Sequence, residues 1–466
     1  MQELHTLDQL GKVHLMGIGG VGVSAVARLL LARGITVSGT DAKELPVLDD
    51  LRAAGARINV GYAAQNLGDA NTVVISSIIK PGNPEYDEAV SRGLRILHRS
   101  QGLAATMEGH HVITVAGTHG KTTTTSLIAF MLREAGMSPT FAIGANIASL
   151  GVNAEYGEGR VFVAEADESD ASFLNYEPDV VVITNIEADH LDHYGSVEAV
   201  HQAFYEFASL LPEDGLLICC ADDAGSRALA QRIRRERPDL RVQTYGFAED
   251  ADRRLNDPHP RGHRFACTLE WGNGQEIELE IALPGNHNLL NAAAAFAIGL
   301  DSGLEPEAAV AGLNAFTGAA RRFDFRGEVG GVKVYDDYAH HPTEVLAALR
   351  AARAVAGSGA VHVLFQPHLF SRTKEFHREF GQALSLADTA HVLEIYPARE
   401  TPIPGVTSEL VVKALETAGG LVSTGQAAHV VAATAESGDV IMTIGAGDVT
   451  EQGEAILRAL GERLGK

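Results

Sequence analysis

Val115-Ala116-Gly117-Thr118-His119-Gly120-Lys121-Thr122-Thr123-Thr124 decides how this chain is read. The turn follows an apolar, β-branched run, Val112–Ala116, and opens a predicted helix, Thr122–Ala135, that Gly136 stops. A Gly-x-x-Gly-Lys-Thr turn between strand and helix has the physics of a phosphate cradle. Gly117, Thr118, His119, Gly120 and Thr123 supply backbone around phosphate oxygens. Lys121 adds a point charge near the outer phosphates, and the Thr122 hydroxyl suits Mg2+. Val115 stands where the longer GxxxxGK[ST] loop has its first glycine, so this is the shorter form. The bland alternative is a glycine turn followed by a solvated lysine.

Upstream, Lys12–Met16 reads as a strand and Gly17-Ile18-Gly19-Gly20-Val21-Gly22 as a turn. A helix over Val23–Ala32 ends at Arg33-Gly34; a second strand, Ile35–Gly39, runs up to Asp41, and Val73–Ser77 is a third. This βαβ rhythm implies a parallel sheet. Glycines let backbone close on a diphosphate, and a helix N-terminus attracts its charge. The literal reading of the motif is NAD, yet any diphosphate satisfies the same physics, and a purely structural turn is the simplest alternative.

Downstream, strands are predicted at Val161–Ala164, Val180–Thr184 and Leu216–Cys219. The first ends in four carboxylates, Glu165, Asp167, Glu168 and Asp170. Near a phosphate loop such groups hold Mg2+ through oxygen, although some belong to a solvated turn. His190 follows the next strand, flanked by Asn185, Asp189 and Asp192, which favours a ligand role. Residues 248–274 are rich in charge, proline, histidine and glycine and read as loops and a hairpin. Asn288 and Asn291, in Gly285-Asn286-His287-Asn288-Leu289-Leu290-Asn291, share one face of a helix start, where amides cap a helix or read an adenine edge. An Ala-rich helix follows over Asn291–Gly299.

A third unit starts after Gly318. Its strands are predicted at Val332–Tyr335, Val361–Phe365, His391–Leu393 and Val440–Ile444, with helices at Pro342–Ala354 and Phe376–Leu384. Arg321-Arg322, the Asp336-Asp337 pair with His340, and Gln366–Thr373 with Arg372 lie near strand ends, where open α/β sheets gather ligands.

The 466 residues exceed one ordinary core and suggest two to four domains. No apolar run spans a bilayer, and Met1–Leu10 lacks the basic start and apolar stretch of a signal peptide. Three cysteines, two of them adjacent, argue against disulfides and zinc and fit a reducing compartment. A net charge of −23 disfavours nucleic acid.

Taken in order, GTHGKTTT, EADESDASF, TNIEADHLDHY, GNHNLLNAAAA, RRFDFRGE, YDDYAHHPTE and FQPHLFSRT resemble the Mur ligase family over essentially the whole chain. The resemblance implies an α/β protein of three domains: a Rossmann-like UDP-sugar domain (1–107), a central P-loop ATPase domain (108–318) and a Rossmann-like C-terminal domain (319–466) closing over ATP and amino acid. It implies a cytoplasmic enzyme, a monomer or weak homodimer, that uses ATP and Mg2+ to join L-alanine to UDP-N-acetylmuramate. The first glycine turn then holds the diphosphate of UDP.

Carried over, Lys121 and Thr122 match the phosphate lysine and magnesium threonine, and Glu165 and His190 match magnesium ligands. His287, Asn288 and Asn291 match the adenine side, and Arg322 and Asp337 the C-terminal contacts with ATP. His340 and Arg372 match positions near the two carboxylates. Gly17, Gly19, Gly22, Ser24, Asp41 and Ser76 match the UDP-sugar side. Leu369 departs from members with a second basic residue there. Residues 194–211 hold no lysine, so the carbamoylated lysine of some members is not expected. A ligase that recycles murein tripeptide shares the ATP motifs, but its first turn usually departs from GxGGxG. An NAD-dependent dehydrogenase rests on Gly17–Gly22 alone, and a non-catalytic nucleotide-binding regulator leaves the Lys121-Thr122 and Glu165/His190 pairs unexplained.

Overall fold

Alternation of buried strands with amphipathic helices builds three sheets among the described residues, which in this computed structural model are 6–261, 264–272, 274–398 and 400–465. Residues 1–5 of the N-terminal stretch and 262, 263 and 273 of the stretch 248–274 lie outside them.

The first sheet contains β1 (Val13–Met16), β2 (Val37–Asp41), β3 (Arg57–Val60), β4 (Thr72–Ile75) and β5 (Arg95–His98), all parallel, in the order β3-β2-β1-β4-β5. Its helices are α1 (Leu7–Leu10), α2 (Val21–Ala32), α3 (Pro46–Ala53), α4 (Pro84–Ser91) and α5 (Arg99–Met107). The chain winds one way from β1 to β3 and the other way through β4 and β5. The glycine turn after β1 therefore sits at the switch point, where such sheets open a crevice. Sequence patterning overlooks β3 because it is an edge strand with no fully buried residue, so it carries no apolar run.

The second sheet has ten strands: β6 (His111–Ala116), β7 (Thr140–Ala142), β8 (Ala154–Glu155), β9 (Val161–Glu165), β10 (Val180–Ile183), β11 (Leu216–Cys220), β12 (Arg241–Gly246), β13 (Arg253–Arg261), β14 (Arg264–Gly272) and β15 (Gln275–Ile281). Their order is β15-β14-β13-β12-β11-β10-β6-β9-β7-β8. Helices α6 (Lys121–Glu134), α7 (Leu191–Tyr194), α8 (Val197–Ser209), α9 (Ala224–Glu236), α10 (Asn286–Asp301) and α11 (Pro306–Ala315) accompany it. β6 lies between β10 and β9, so the phosphate loop also occupies a switch point. The charged stretch after residue 248 is more regular than its composition suggests, forming long strands rather than mostly loops.

The third sheet pairs β16 (Asp324–Val329) antiparallel with β17 (Val332–Asp337). It continues through β18 (Val361–Phe365), β19 (Thr389–Val392), β20 (Ala418–Leu421) and β21 (Val440–Ile444) in the order β16-β17-β21-β18-β19-β20. Around it lie α12 (Pro342–Ala356), α13 (Phe370–Leu384), α14 (Glu409–Val412), α15 (Thr424–Ala433) and α16 (Gln452–Leu464). α13 begins six residues before the predicted Phe376, because the polar Arg372 and Thr373 are buried in its first turn and hide the helical period.

The chain forms two compact units. One is Met1–Asp257, Cys267–Leu279 and Leu290–Phe316; the other is Pro258–Ala266, Glu280–Leu289 and Thr317–Lys466. Within the first, Leu15, Val26 and Val74 of the first sheet layer belong to the same apolar core as Phe162, Phe173 and Phe204 of the second. One polar network interrupts that unit's interior. His14 on β1 and Glu85 on α4 are both fully buried, with Nε2 and Oε2 3.1 Å apart. Glu85 Oε1 accepts from Asn66 Nδ2 and the Ala63 amide, fixing the segment after β3, and Ser38 Oγ meets His14 Nδ1. All three cysteines are buried free thiols, and no described helix is long and apolar enough to cross a membrane.

Candidate functional site

The phosphate loop is held from outside by the strand end beside it. Gly117 takes φ 139°, and a Cβ there would stand 2.0 Å from Thr184 Oγ1. Only glycine permits that approach. The Thr118 amide donates to Asn185 O and the His119 amide to Asn185 Oδ1, while Thr184 Oγ1 and Asn185 Nδ2 both donate to His119 O. Thr124 Oγ1 on α6 donates to Asn291 Oδ1, so Asn291 packs beneath the loop.

Lys121 Nζ donates to Gly117 O (2.6 Å), Thr118 O (3.2 Å) and Glu168 Oε1 (2.8 Å). Burial pulls its pKa down, but Glu168, Glu165 and Asp167 outweigh burial, and the ammonium stays charged. Thr122 Oγ1 donates to Glu165 Oε1 at 3.0 Å, and the Gly144 amide holds Glu165 Oε2. His190, at φ 55°, places Nε2 3.7 Å from both Glu168 and Asp189. Burial opposes protonation of that ring, but the two carboxylates prevail and raise its pKa. Glu168 Oε2 is buried with no hydrogen-bond partner among the described residues. A hydroxyl, two carboxylates with one oxygen to spare, and an imidazole are a donor set that fits a hard divalent cation.

On the first sheet, Gly17, Gly19 and Gly22 form the predicted turn. Gly17 N donates to Thr40 O, and Gly19 N donates to Asp41 Oδ2 at 2.9 Å. Asp41 thus braces the turn itself. Ser24 is buried and donates to Val21 O inside α2, and Ser76 lies half-buried after β4. Sequence reasoning missed the neighbouring Ser77, His98, Arg99 and Gln101, which meet or flank the carboxylates after β9. Ser77 Oγ donates to Asp170 Oδ2 at 2.7 Å and meets His98 Nε2 at 3.2 Å. With Gln101, Ser172 and Asn175 they line a polar cavity of about 510 Å3. Arg99 Nη2 pairs with Asp167 Oδ2 at 2.5 Å. Burial pushes the Asp167 carboxyl up, but Arg99 and Lys121 hold it far below the usual range. No short motif announces the Ser77–Asp170 and Arg99–Asp167 pairs, because each joins residues more than sixty positions apart in the chain.

In the C-terminal unit, the adjacent aspartates divide their work. Asp336 is fully buried and accepts from Arg321 Nε, Thr443 Oγ1 and Thr450 Oγ1. Asp337 accepts from the Phe323 and Ala339 amides, and burial raises its pKa to about 6 against the pull of Arg322. The Arg322 guanidinium lies 5.1 Å from the Tyr338 ring centre. Arg372 is buried at the start of α13, while Leu369 before it adopts φ 71°. Asn288 Nδ2 donates to Pro284 O, which is a capping-type contact, and burial lowers the pKa of His287 to about 4.

His340 Nδ1 meets Tyr338 O at 3.0 Å, and its ring lies edge-on to His368. Burial, with Arg372 and His368 adding to it and Glu344 opposing, lowers its pKa to about 3. The ring is therefore neutral at pH 7 and able to accept as well as donate. A lowered histidine pKa means that the unfolded chain binds the proton first, so stability falls as pH drops below about 6.5. His340→Gln is expected to gain on the parent by up to roughly 1.4 kcal/mol per pH unit between about pH 6 and pH 4. Urea unfolding of both proteins across that range checks it, and parallel curves exclude a neutral buried ring.

Comparison with known proteins completes the picture. The chain matches the Mur ligase family, catalytic domain, over residues 12–111, the Mur ligase middle domain over 115–299 and the Mur ligase, glutamate ligase domain over 321–447. It is 60% identical to the UDP-N-acetylmuramate–L-alanine ligase of Paenarthrobacter aurescens, covering 98% of each chain. It is 46% identical to that of Streptomyces coelicolor, covering 97% of this chain and 98% of the other. The solved UDP-N-acetylmuramate-alanine ligase of Thermotoga maritima superposes with TM-score 0.80 at 28% identity, covering 98% of this chain and 100% of that one. A murein peptide ligase from Psychrobacter arcticus gives 0.71 at 25% identity, covering 97% of this chain and 99% of the other.

Proposed function

The chain belongs to the Mur ligase family, and from that premise we propose that it joins L-alanine to the carboxylate of UDP-N-acetylmuramate at the expense of ATP, a cytoplasmic step of peptidoglycan synthesis. The observation that carries the reading is the 60% identity to an L-alanine ligase over 98% of both chains. In this reading residues 1–107 take the sugar nucleotide, 108–318 take ATP, and 319–466 supply Arg322 and Asp337 to the nucleotide and His340 and Arg372 to the carboxylates.

A carboxylate repels an amine. Transfer of the γ-phosphoryl group to the acceptor carboxylate gives an acyl phosphate and ADP. The amine of L-alanine then attacks the acyl carbon, and phosphate leaves with the carboxylate oxygen that bridged carbon and phosphorus. Thr122, Glu165 and His190 would hold Mg2+, which offsets charge on the phosphates when bound. Lys121 contributes a fixed positive charge at the phosphate loop, Arg372 presents a planar fork to a carboxylate, and the protein otherwise orients the reactants.

Phosphate release is expected to require ATP, UDP-N-acetylmuramate and L-alanine together. With 18O in the acceptor carboxylate, one labelled oxygen should appear in the phosphate. Release that prefers the murein tripeptide over L-alanine would transfer the assignment to the recycling ligase. Tight NAD binding without ATP binding would end the ligase reading, and amide formed without label in phosphate would exclude the acyl phosphate.

A further inference from the structure

Arg99, the first residue of α5, joins the two halves of the first unit. Its side chain lies across Gly22, in the first turn of α2, with Cδ and Nη1 each 3.4 Å from where a Cβ would stand. Its Nη2 holds Asp167 Oδ2 on the segment that follows β9. Glu165, the last residue of β9, holds the Thr122 hydroxyl, and Glu168, three residues on, holds the Lys121 ammonium. One short run of chain therefore touches both the phosphate loop and the cation beside the glycine turn. Both partners of the ion pair are mostly shielded, with side-chain exposures of 23% and 34%, so solvent screens them only partly.

We propose that the Arg99–Asp167 pair couples the acceptor site to the phosphate loop, so that each ligand binds more tightly when the other is present. The proposal rests on the acceptor reading above, in which a diphosphate sits at the α2 N-terminus. A diphosphate there draws on the remaining donors of the guanidinium, which has five N–H groups in a fixed fork. Anchored from that side, Arg99 fixes Asp167 and with it the 165–168 segment that sets Lys121 and Thr122. Arg99 also stands between two polyanions and offsets their repulsion. It acts through Asp167 on the ATP side, so it is a positioning residue there.

The test compares two affinities. Binding of a non-hydrolysable ATP analogue with Mg2+ is measured by calorimetry, with and without saturating UDP-N-acetylmuramate. In the parent the acceptor is expected to tighten the analogue about tenfold, and the analogue to tighten the acceptor by the same factor. In Arg99→Ala and in Asp167→Asn the ratio should fall to about one, with no further loss in the double variant. Arg99→Lys, which keeps the charge without the fork, should retain part of it. A general loss of structure lowers both affinities without changing their ratio, and thermal melts of each variant identify it. A parent ratio of one, or an undiminished ratio in Arg99→Ala, overturns the coupling. An acceptor that fails to bind the parent at all overturns the acceptor reading as well.

Discussion

Lys121→Ala is expected to lower kcat by about two to three orders of magnitude at saturating ATP, the scale seen when a fixed charge or donor is removed from a developing anionic centre. The variant also leaves Glu168 buried without its ammonium, and that carboxylate already has one oxygen with no partner among the described residues. A fall in stability therefore accompanies the fall in rate, and the two must be separated. Lys121→Ala combined with Glu168→Gln removes the stranded charge. The pair should recover thermal stability relative to Lys121→Ala alone and recover none of the rate. Single-turnover phosphate release, measured well below the melting temperature of each variant, reads the chemical step. Near-parental turnover in Lys121→Ala would remove the lysine from the phosphoryl-transfer machinery.

Glu85→Ala is expected to destabilise the folded chain by about 3–5 kcal/mol, the scale of removing a buried carboxylate that several buried donors rely on. The loss falls on His14, on the Asn66 amide and on the Ala63 N–H, all of which Glu85 satisfies. Burial raises the Glu85 carboxyl, but His14, Asn66 and Thr40 together bring it below its ordinary value. A depressed carboxylate stabilises the fold above its unfolded pKa, and that contribution is lost as pH falls through the folded one. The gap between parent and variant should therefore be full at pH 7 and shrink below about pH 4.5. Urea unfolding at pH 7 and pH 4 measures it. A gap independent of pH would mean that Glu85 acts by shape alone.

The parts of this molecule that were legible beforehand are those in which a local pattern has a local cause. The Val112–Ala116 run, the turn after it and the helix that follows are consecutive, and the structure has them as β6 and α6. The runs Val361–Phe365 and Val440–Ile444 are completely buried and emerge with their predicted bounds. β3 and β5 were overlooked because neither is continuously buried. At the site, Lys121, Thr122 and Glu165 come together, and His190 meets Glu168 beside them. Ser24 was named from the family resemblance, and in the structure its hydroxyl donates to Val21 O within α2. Asp167 and Asp170 were visible as carboxylates, but Ser77, His98 and Arg99 as their partners needed coordinates, because spacing along the chain gives no hint that the ends of β4 and β5 approach the segment after β9.

The bracing of the phosphate loop by Thr184 and Asn185 bears on how this protein can change over evolutionary time. Four hydrogen bonds from one dipeptide fix the path of Thr118 and His119, and a methyl group at 117 would collide with the same threonine. Drift at either place is thus conditional on the other, although sixty-seven positions of sequence separate Gly117 from Thr184. Recombination that brings in a foreign 117–121 segment without its own 184–185 partner would inherit a mismatched mould. The two segments form one heritable unit, and chimaeras cut between them should be the hardest to make functional.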